Sequence, residues 1–274
     1  MGDEMIRTPE DDEFAEADEI LLMLRKKADT GEGDLPWGDC LSRSWEDGVL
    51  RVTRSYATGS DGPSPDLIIQ EFPYSAHPCS GVGGTGGMVW PGAILLASQL
   101  RRRSELLSEA SVVLELGAGC GLPGLAAASL LRNAGESRVI LTDGPEAVLA
   151  NLEENARANA DRVSPVELQV CKLIWEELLD GSAPPPAEEI DLILGSDVIW
   201  GDRGPLVAHV ARLLVRPAGW LVISAQKGRE GLDAFQQLLC STTAPLGPAF
   251  TIEVLEEQMN GEAFLVFFCR RDAK

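Results

Sequence analysis

Residues 112–124 read Val-Val-Leu-Glu-Leu-Gly-Ala-Gly-Cys-Gly-Leu-Pro-Gly, an apolar run that meets a cluster of glycines and opens onto the alanine-rich stretch Leu122–Leu131. Val112 to Leu116 is apolar apart from Glu115, the pattern of a strand covered on both faces and therefore central in a parallel sheet. Gly117, Gly119 and Gly121 strip the turn of Cβ atoms, so its backbone can adopt positive φ and a ligand can approach its amides. The helix predicted from Leu122 presents free N–H groups and the positive end of its dipole to that turn. Strand, glycine turn and helix in this order make a ligand-binding turn.

Two reading frames compete for the ligand. From Gly119 the turn spells G-x-G-x-x-G, the dinucleotide fingerprint. From Glu115 it spells E-x-G-x-G-x-G, which resembles motif I of the class I S-adenosylmethionine methyltransferases. The second frame accounts for Glu115, an acid placed to hold the amino-acid end of that cofactor directly or through water. A pyrophosphate would be repelled there.

The remainder of the chain bounds what surrounds the turn. Its 274 residues, 45% of them hydrophobic, suffice for one α/β domain with additions. No apolar stretch approaches the roughly 20 residues of a membrane span. The start, Met-Gly-Asp-Glu-Met-Ile-Arg, lacks the basic and apolar regions of a secretory signal. A cytoplasmic location is the expectation, with the nucleus as a second compartment. Six cysteines, Cys40, Cys79, Cys120, Cys171, Cys240 and Cys269, contain no C-x-x-C pair, which predicts reduced thiols. His77 and Cys79 flank a proline, but His209 is the only other histidine, so no metal site is expected.

The formal charge of −20 and the lack of any basic cluster beyond Arg101-Arg102-Arg103 argue against a nucleic-acid partner. A basic protein segment suits such a surface better. Residues 1–48 hold 15 acidic against 5 basic side chains, half of the excess, and read as an acidic extension. Within it, 1–12 are expected to be disordered and 13–28 helical. Phe14, Ala17, Ile20, Leu21 and Leu24 form a stripe that docks on the domain. Asp29–Ser44 reads as loop.

The domain itself spans 49–274. Val49–Ser55 and Leu67–Phe72 alternate as strands of a hairpin, with Gly59, Gly62, Pro63 and Pro65 between them. The glycine-rich stretch Gly81–Gly92, which contains Trp90-Pro91, is either a linker or a lid that orders over a ligand; a helix over Ala93–Leu100 follows it. Arg138–Thr142 is a strand ending in Asp143. Pro145 starts a helix with Val148, Leu149, Leu152, Ala156 and Ala160 inward and Glu153, Glu154 and Arg157 outward.

Val166–Leu173 and Ile190–Leu194 are further strands, separated by Trp175 and the loop tip Ala183–Ala187. Gly204–Val215 is helical, Trp220–Ala225 a strand, Leu232–Leu239 helical, and Phe250–Glu256 with Ala263–Cys269 a hairpin turning near Asn260-Gly261. The expected fold is therefore α/β and Rossmann-like: a mostly parallel twisted sheet flanked by helices, with an antiparallel C-terminal edge hairpin and an N-terminal β-hairpin. Asp143 lies 26 residues beyond Gly117 at a strand's carboxyl end, where such sheets place an acid for ribose hydroxyls. Capping the next helix is its competing role.

With these residues placed, the chain resembles the family-16 protein methyltransferases, a seven-strand group that modifies mostly lysine side chains on proteins. Four motifs carry the resemblance: Gly-Thr-Gly-Gly-Met-Val-Trp-Pro ending at Pro91, Glu115–Gly124, Leu-Thr-Asp143 with its Asn-rich helix, and Asp191-Leu-Ile-Leu-Gly-Ser-Asp197-Val-Ile. The resemblance implies that Trp90 packs on the methionine part of S-adenosyl-L-methionine while Gly117, Ala118 and Gly119 line it with backbone. It also implies that Asp143 takes the ribose hydroxyls, Trp175 stacks on adenine and Ser196 contacts the cofactor beside the reacting centre. For either tryptophan, a core or surface aromatic is the alternative.

The family's Asp-x-x-Tyr motif reads Asp197-Val-Ile-Trp200 here, keeping the aromatic and losing the hydroxyl. Asp197 is the candidate for orienting an incoming lysine amine, against a plain role in capping the next helix. The activity implied is methyl transfer to a lysine of a protein substrate, on a basic segment or in a chaperone-type complex. The alternatives are a histidine-directed or small-molecule methyltransferase, and a cofactor-binding interaction protein without turnover.

Overall fold

The structure, a computed structural model, describes residues 39–46, 49–56, 66–75, 85–131, 136–242, 248–259 and 261–273. In chain order these form β1 (Asp39–Glu46), β2 (Val49–Tyr56) and β3 (Leu67–Ser75), a 3-10 turn (Thr85–Gly87), α1 (Pro91–Arg102), α2 (Glu105–Ser108), β4 (Val112–Leu116) and α3 (Leu122–Leu131). Then follow β5 (Arg138–Asp143), α4 (Glu146–Val163), β6 (Glu167–Lys172), α5 (Trp175–Asp180), β7 (Ile190–Ser196) and α6 (Arg203–Leu214). The chain closes with β8 (Val215–Gln226), α7 (Leu232–Cys240), β9 (Phe250–Met259) and β10 (Glu262–Arg271). The expected acidic helix over 13–28, the stretch 1–12, Gly81–Gly84 and the Gly59–Pro65 turn lie outside the described residues.

Seven strands form one sheet in the order β6-β5-β4-β7-β8-β10-β9. β4 to β8 run parallel, and β10 joins β8 antiparallel with β9 folded back as the edge hairpin. Successive side chains of a strand leave opposite faces, and both faces here are apolar. Val113, Val139, Leu141 and Leu192 pack with Leu96 of α1, Leu125 of α3 and Leu152 of α4. Leu114, Leu116, Ile140 and Ile193 pack with Leu178 of α5, Val207 of α6 and Phe235 of α7. From β4 the chain steps outward through β5 and β6, then returns to β7 on the other side of β4. The crevice beyond the carboxyl ends of β4 and β7 is the switch point at which open α/β sheets bind ligands.

A second sheet, β1-β2-β3, stands against this body. Its inner edge is held by asparagines four residues apart on α4. Asn159 Oδ1 accepts the Ile68 N–H at 2.9 Å, and its Nδ2 donates to the Ile68 carbonyl at 2.7 Å. Asn155 does the same for Gln70, at 2.7 and 3.0 Å, and also donates to the Cys120 carbonyl at 3.0 Å. Asn151 adds a bond to the Gln70 carbonyl at 2.9 Å. The spacing places all three on one helix face, so α4 completes the hydrogen bonding that a neighbouring strand would otherwise supply to β3.

Three features differ from expectation. Residues 39–44, expected as loop, belong to β1, which pairs with β2 from Glu46↔Val49 to Asp39↔Ser55. The intervening sequence, Asp47-Gly48, is the dipeptide that favours tight hairpins. Ala160, expected inward, is exposed, and the buried position beside it belongs to Asn159. β8 begins at Val215 rather than Trp220, with a register irregularity opposite Ile190–Leu192.

Asn155→Ala is expected to lower stability by roughly 2–3 kcal/mol, because the Gln70 N–H and the Cys120 carbonyl lose their Asn155 partner and the Gln70 carbonyl keeps only Asn151. Arg157→Ala, two residues on and on the opposite, exposed face, is the control and should shift stability by less than about 0.5 kcal/mol; urea unfolding of both variants measures the difference.

Candidate active site

The turn after β4 is built on left-handed backbone: φ is +56° at Gly117, +54° at Gly119 and +81° at Gly121. The surrounding space demands the same residue. A Cβ on Gly117 would lie 2.8 Å from Val198 Cγ1 and 3.8 Å from Trp175 Cζ2, and one on Gly121 would lie 2.6 Å from Leu152 Cδ1. A Cβ on Gly119 would lie 3.3 Å from the Gly86 carbonyl oxygen, so the Thr85–Gly87 turn rests on the glycine turn.

Main-chain bonds fix the turn to β5. The Ala118 N–H donates to the Thr142 carbonyl at 2.8 Å, and the Thr142 hydroxyl donates to the Glu115 carbonyl at 2.6 Å. Asp143 Oδ2 accepts the Gly119 N–H and Oδ1 the Gly144 N–H, both at 2.8 Å. Burial pushes the Asp143 carboxyl up, and these two N–H groups pull it back. Pro145 occupies the N-cap position of α4, which receives no side-chain cap; of the two roles weighed for Asp143, helix capping is not the one the geometry displays.

The walls come from both sides of β4. Trp175 opens α5 beyond β6 and reaches Gly117 with its six-membered ring. Trp90 precedes Pro91, the first residue of α1, and its Nε1 donates to the Thr85 carbonyl at 2.7 Å. Ser196 ends β7 in register with Ser224 of β8. The structure thus gathers Trp90, Gly117, Ala118, Gly119, Asp143, Trp175, Ser196 and Asp197 at one end of the sheet.

Asp197 follows Ser196 with φ +52°. Its Oδ2 accepts the Gly92 N–H at 3.1 Å, and the Gln226 N–H also bonds to its carboxylate. Burial pushes its pKa up to about 6, opposed by Arg229 and by the two N–H groups and reinforced by Glu262. Trp200 is 40% exposed, with the Arg203 guanidinium 5.3 Å from its ring and 6.0 Å from that of Trp175. Arg203 also pairs with Glu176 at 2.8 Å.

Glu115 is placed differently. It is fully buried, and its Oε2 accepts the Gly124 N–H at 2.9 Å in the first turn of α3, while Oε1 meets no partner among the described residues. Burial pushes its pKa up to about 8; Gly124 lowers it and Asp143 raises it further. The carboxyl therefore sits beneath the turn, not on its open surface. Two residues that no motif marked also shape the site. Glu71 of β3 accepts the Val89 N–H at 3.2 Å and the Tyr56 hydroxyl at 2.9 Å, and it pairs with buried Arg54 at 3.1 Å. Ser224 binds the main chain of Gly92. For Glu71 the available signal was a lone acid on the inward positions of a strand, and for Ser224 a lone hydroxyl in the apolar run Leu221–Ala225. Among the described residues no cluster of His, Cys, Asp and Glu could hold a metal ion, and no helix is long and apolar enough to cross a membrane.

A seven-strand switch-point sheet with a glycine turn, a strand-end acid and an antiparallel edge hairpin has the architecture of the Rossmann-like methyltransferases. The fold matches an S-adenosylmethionine-dependent methyltransferase from Agrobacterium tumefaciens with a TM-score of 0.50 and 17% identity, covering 85% of this chain and 76% of that one. Residues 78–241 match the lysine methyltransferase family, and the chain belongs to it. Similar proteins include the protein-lysine N-methyltransferase EFM3 of Chaetomium thermophilum, 30% identical over 168 residues, 57% of this chain and 47% of that protein. The protein N-lysine methyltransferase METTL21A of Mus musculus is 37% identical over 43% of this chain and 49% of its own length. The histone-arginine methyltransferase METTL23 of Xenopus laevis is 39% identical over 42% of this chain and 45% of its own. The chain thus spans about half the length of the curated relatives it matches.

The buried carboxyl of Glu115 makes stability pH-dependent. An acid whose folded pKa exceeds its unfolded value holds a proton that unfolding releases, so stability falls as pH rises from about 4.5 to about 8. Glu115→Gln keeps the acceptor for Gly124 and removes the charge; its unfolding free energy should fall less steeply over that range, the full difference being on the order of 4 kcal/mol. Urea unfolding at pH 5, 6, 7 and 8 measures both slopes, and parallel profiles would show that Glu115 is not the group responsible.

Proposed function

We propose that the protein is an S-adenosylmethionine-dependent methyltransferase that methylates a lysine side chain of a protein substrate. The observation that carries this reading is the left-handed glycine turn at the switch point, with Asp143 at the next strand's end and a tryptophan on either side. The residues present fit that cofactor: a floor without side chains for close approach, a carboxylate with lone pairs left for ribose hydroxyls, and aromatic faces for the adenine and sulfonium ends. When bound, S-adenosylmethionine supplies a methyl group already activated on a cationic sulfur.

What the chain contributes is placement. Gly117, Ala118 and Gly119 present main chain, Asp143 orients the ribose, Trp175 stacks on the base, and Trp90 and Ser196 border the reacting end. Glu115 acts from beneath by fixing Gly124 and the start of α3. The lysine amine, with an ordinary pKa of about 10.4, must reach the site neutral. Val198, buried and packed against Gly117, makes the adjoining wall apolar and disfavours the ammonium form. Asp197 uses two of its roughly four lone-pair sites on backbone N–H groups, and the others are free to accept from the amine and aim it. Its negative charge favours the ammonium, so Asp197 anchors rather than deprotonates. The net charge of −20 favours acceptors on basic segments.

A second acceptor has support of its own, since the relative at 39% identity bears the name of a histone-arginine methyltransferase. Incubation with radiolabelled S-adenosylmethionine and cell extract, beside a Gly117→Arg control, tests both readings. A labelled protein band that is absent from the control and yields methyl-lysine on hydrolysis is expected. Methylarginine would transfer the proposal to the second acceptor, and cofactor binding without any labelled protein would overturn it.

Asp197→Asn keeps an acceptor for Gly92 and removes the charge. It should cut turnover by roughly 10- to 100-fold and leave cofactor affinity by calorimetry within about twofold; equal losses in both would remove Asp197 from the acceptor's side of the reaction.

A further inference from the structure

Among the described residues, the Trp90-Pro91 corner is the one wall of the crevice that belongs to neither a strand of the seven-strand sheet nor the loop directly after one. Something must hold it in place. The first N–H groups of a helix have no partners within the helix, and Trp90, at the N-cap position of α1, offers no side-chain cap. Pro91 has no N–H, so the first donor needing a partner is that of Gly92. Asp197 accepts it from across the crevice, 105 residues further along the chain.

The other end of the same residue is also held. Ser224 Oγ donates to the Gly92 carbonyl at 2.8 Å, and the Ser224 carbonyl accepts the Asp197 N–H at 2.9 Å. Ser224, Asp197 and Gly92 therefore form a closed ring of three hydrogen bonds joining β8, the end of β7 and the first turn of α1. Ser224 is fully buried, and a buried hydroxyl requires a partner. The ring leaves no room for a side chain on Gly92, whose Cβ would lie 2.3 Å from Asp197 Oδ2 and 2.8 Å from its Cγ.

We propose that Ser224 is a positioning residue of the cofactor site, acting through Gly92 and Asp197 to fix the Trp90-Pro91 corner against the glycine turn. The inference rests on reading the crevice as the S-adenosylmethionine site. The corner continues into Thr85–Gly87 through the Trp90 Nε1 bond to the Thr85 carbonyl, and Gly86 in turn abuts Gly119. Ser224 does not touch the cofactor in this scheme. It determines whether the wall carrying Trp90 is in place before the cofactor arrives, so its loss raises the ordering cost of binding.

Ser224→Ala in the full chain removes one hydroxyl and leaves the packing of β8 intact. Hydrogen exchange of residues 85–96 without cofactor should accelerate about tenfold, the loss of one buried hydrogen bond, and calorimetric affinity for S-adenosylhomocysteine should fall by about the same factor. Amides of β4, β5 and β6 should exchange as in the unaltered protein. Gly92→Ala, which drives the Asp197 carboxylate out of the ring, should reproduce the pattern by a separate route. Unchanged exchange over 85–96 in both variants would overturn the proposal, as would a loss of turnover without any change in exchange or affinity. Failure of the unaltered protein to bind S-adenosylhomocysteine would reject the reading of the crevice, while accelerated exchange over 85–96 would still establish that Ser224 holds the corner.

Discussion

Three left-handed glycines within five residues, at the end of the most buried strand, are the constraint around which the structure is arranged. A residue with a Cβ would add on the order of 1–2 kcal/mol of backbone strain at each position and would strike Val198, Gly86 or Leu152. The turn is therefore closed in by the Val198 and Leu152 side chains and the Gly86 main chain, and its amides cannot be left to water. Ala118 and Gly119 donate across to Thr142 and Asp143 of β5, so the turn moves only if β5 moves. β5 in turn is covered on both faces, with Val139, Ile140 and Leu141 fully buried.

The N-terminal sheet makes sense in the same terms. An exposed inner edge on β3 would be a row of unpaired polar groups open to another strand. The asparagines of α4 occupy that edge and bind the sheet to the helix that follows Asp143. Glu71 then carries the connection to the crevice: its burial raises its pKa, with Arg54 the main opposing influence, and its Oε2 holds the Val89 N–H. Trp90 is thus gripped from both sides, through Val89 by the N-terminal sheet and through Gly92 by the seven-strand sheet. A wall residue shared by two sheets is fixed relative to both.

Patterns confined to a few neighbouring residues were legible in the sequence; pairings between distant polar groups were not. β4, its turn and α3 could be read because apolar continuity, glycine spacing and an alanine-rich helix are all local signals. The edge hairpin of β9 and β10 could be read for the same reason. The role of Asn151, Asn155 and Asn159 could not, since a 4-residue spacing of asparagines signals a common face without naming what it meets. That polar face also explains Ala160: the buried stripe of α4 runs through Asn159, a polar residue that an apolar pattern passes over. Glu115 shows the limit of motif spacing. Its strand reads as central in the sheet, as β4 is, but the side on which its carboxyl emerges depends on the approach of α3, which only the packed structure reveals.

Asp197 shows how strain and chemistry coincide. Its φ of +52° is one that Asp tolerates better than most residues but that glycine would adopt without cost. Glycine there would relieve the backbone and leave the Gly92 N–H without an acceptor at a half-buried helix start. The strained acid persists because the surrounding bonds over-determine it, the Ser224 carbonyl from one side and the Gly92 and Gln226 N–H groups from the other. The rigidity extends to Trp200, since Val198 and Ile199 between them are buried. With no hydroxyl, Trp200 offers a face and an N–H, and Arg203 lies beside that face while pairing with Glu176 at the start of α5. Arg203, held between that ring and Glu176, thus ties the loop after β7 to the helix that carries Trp175.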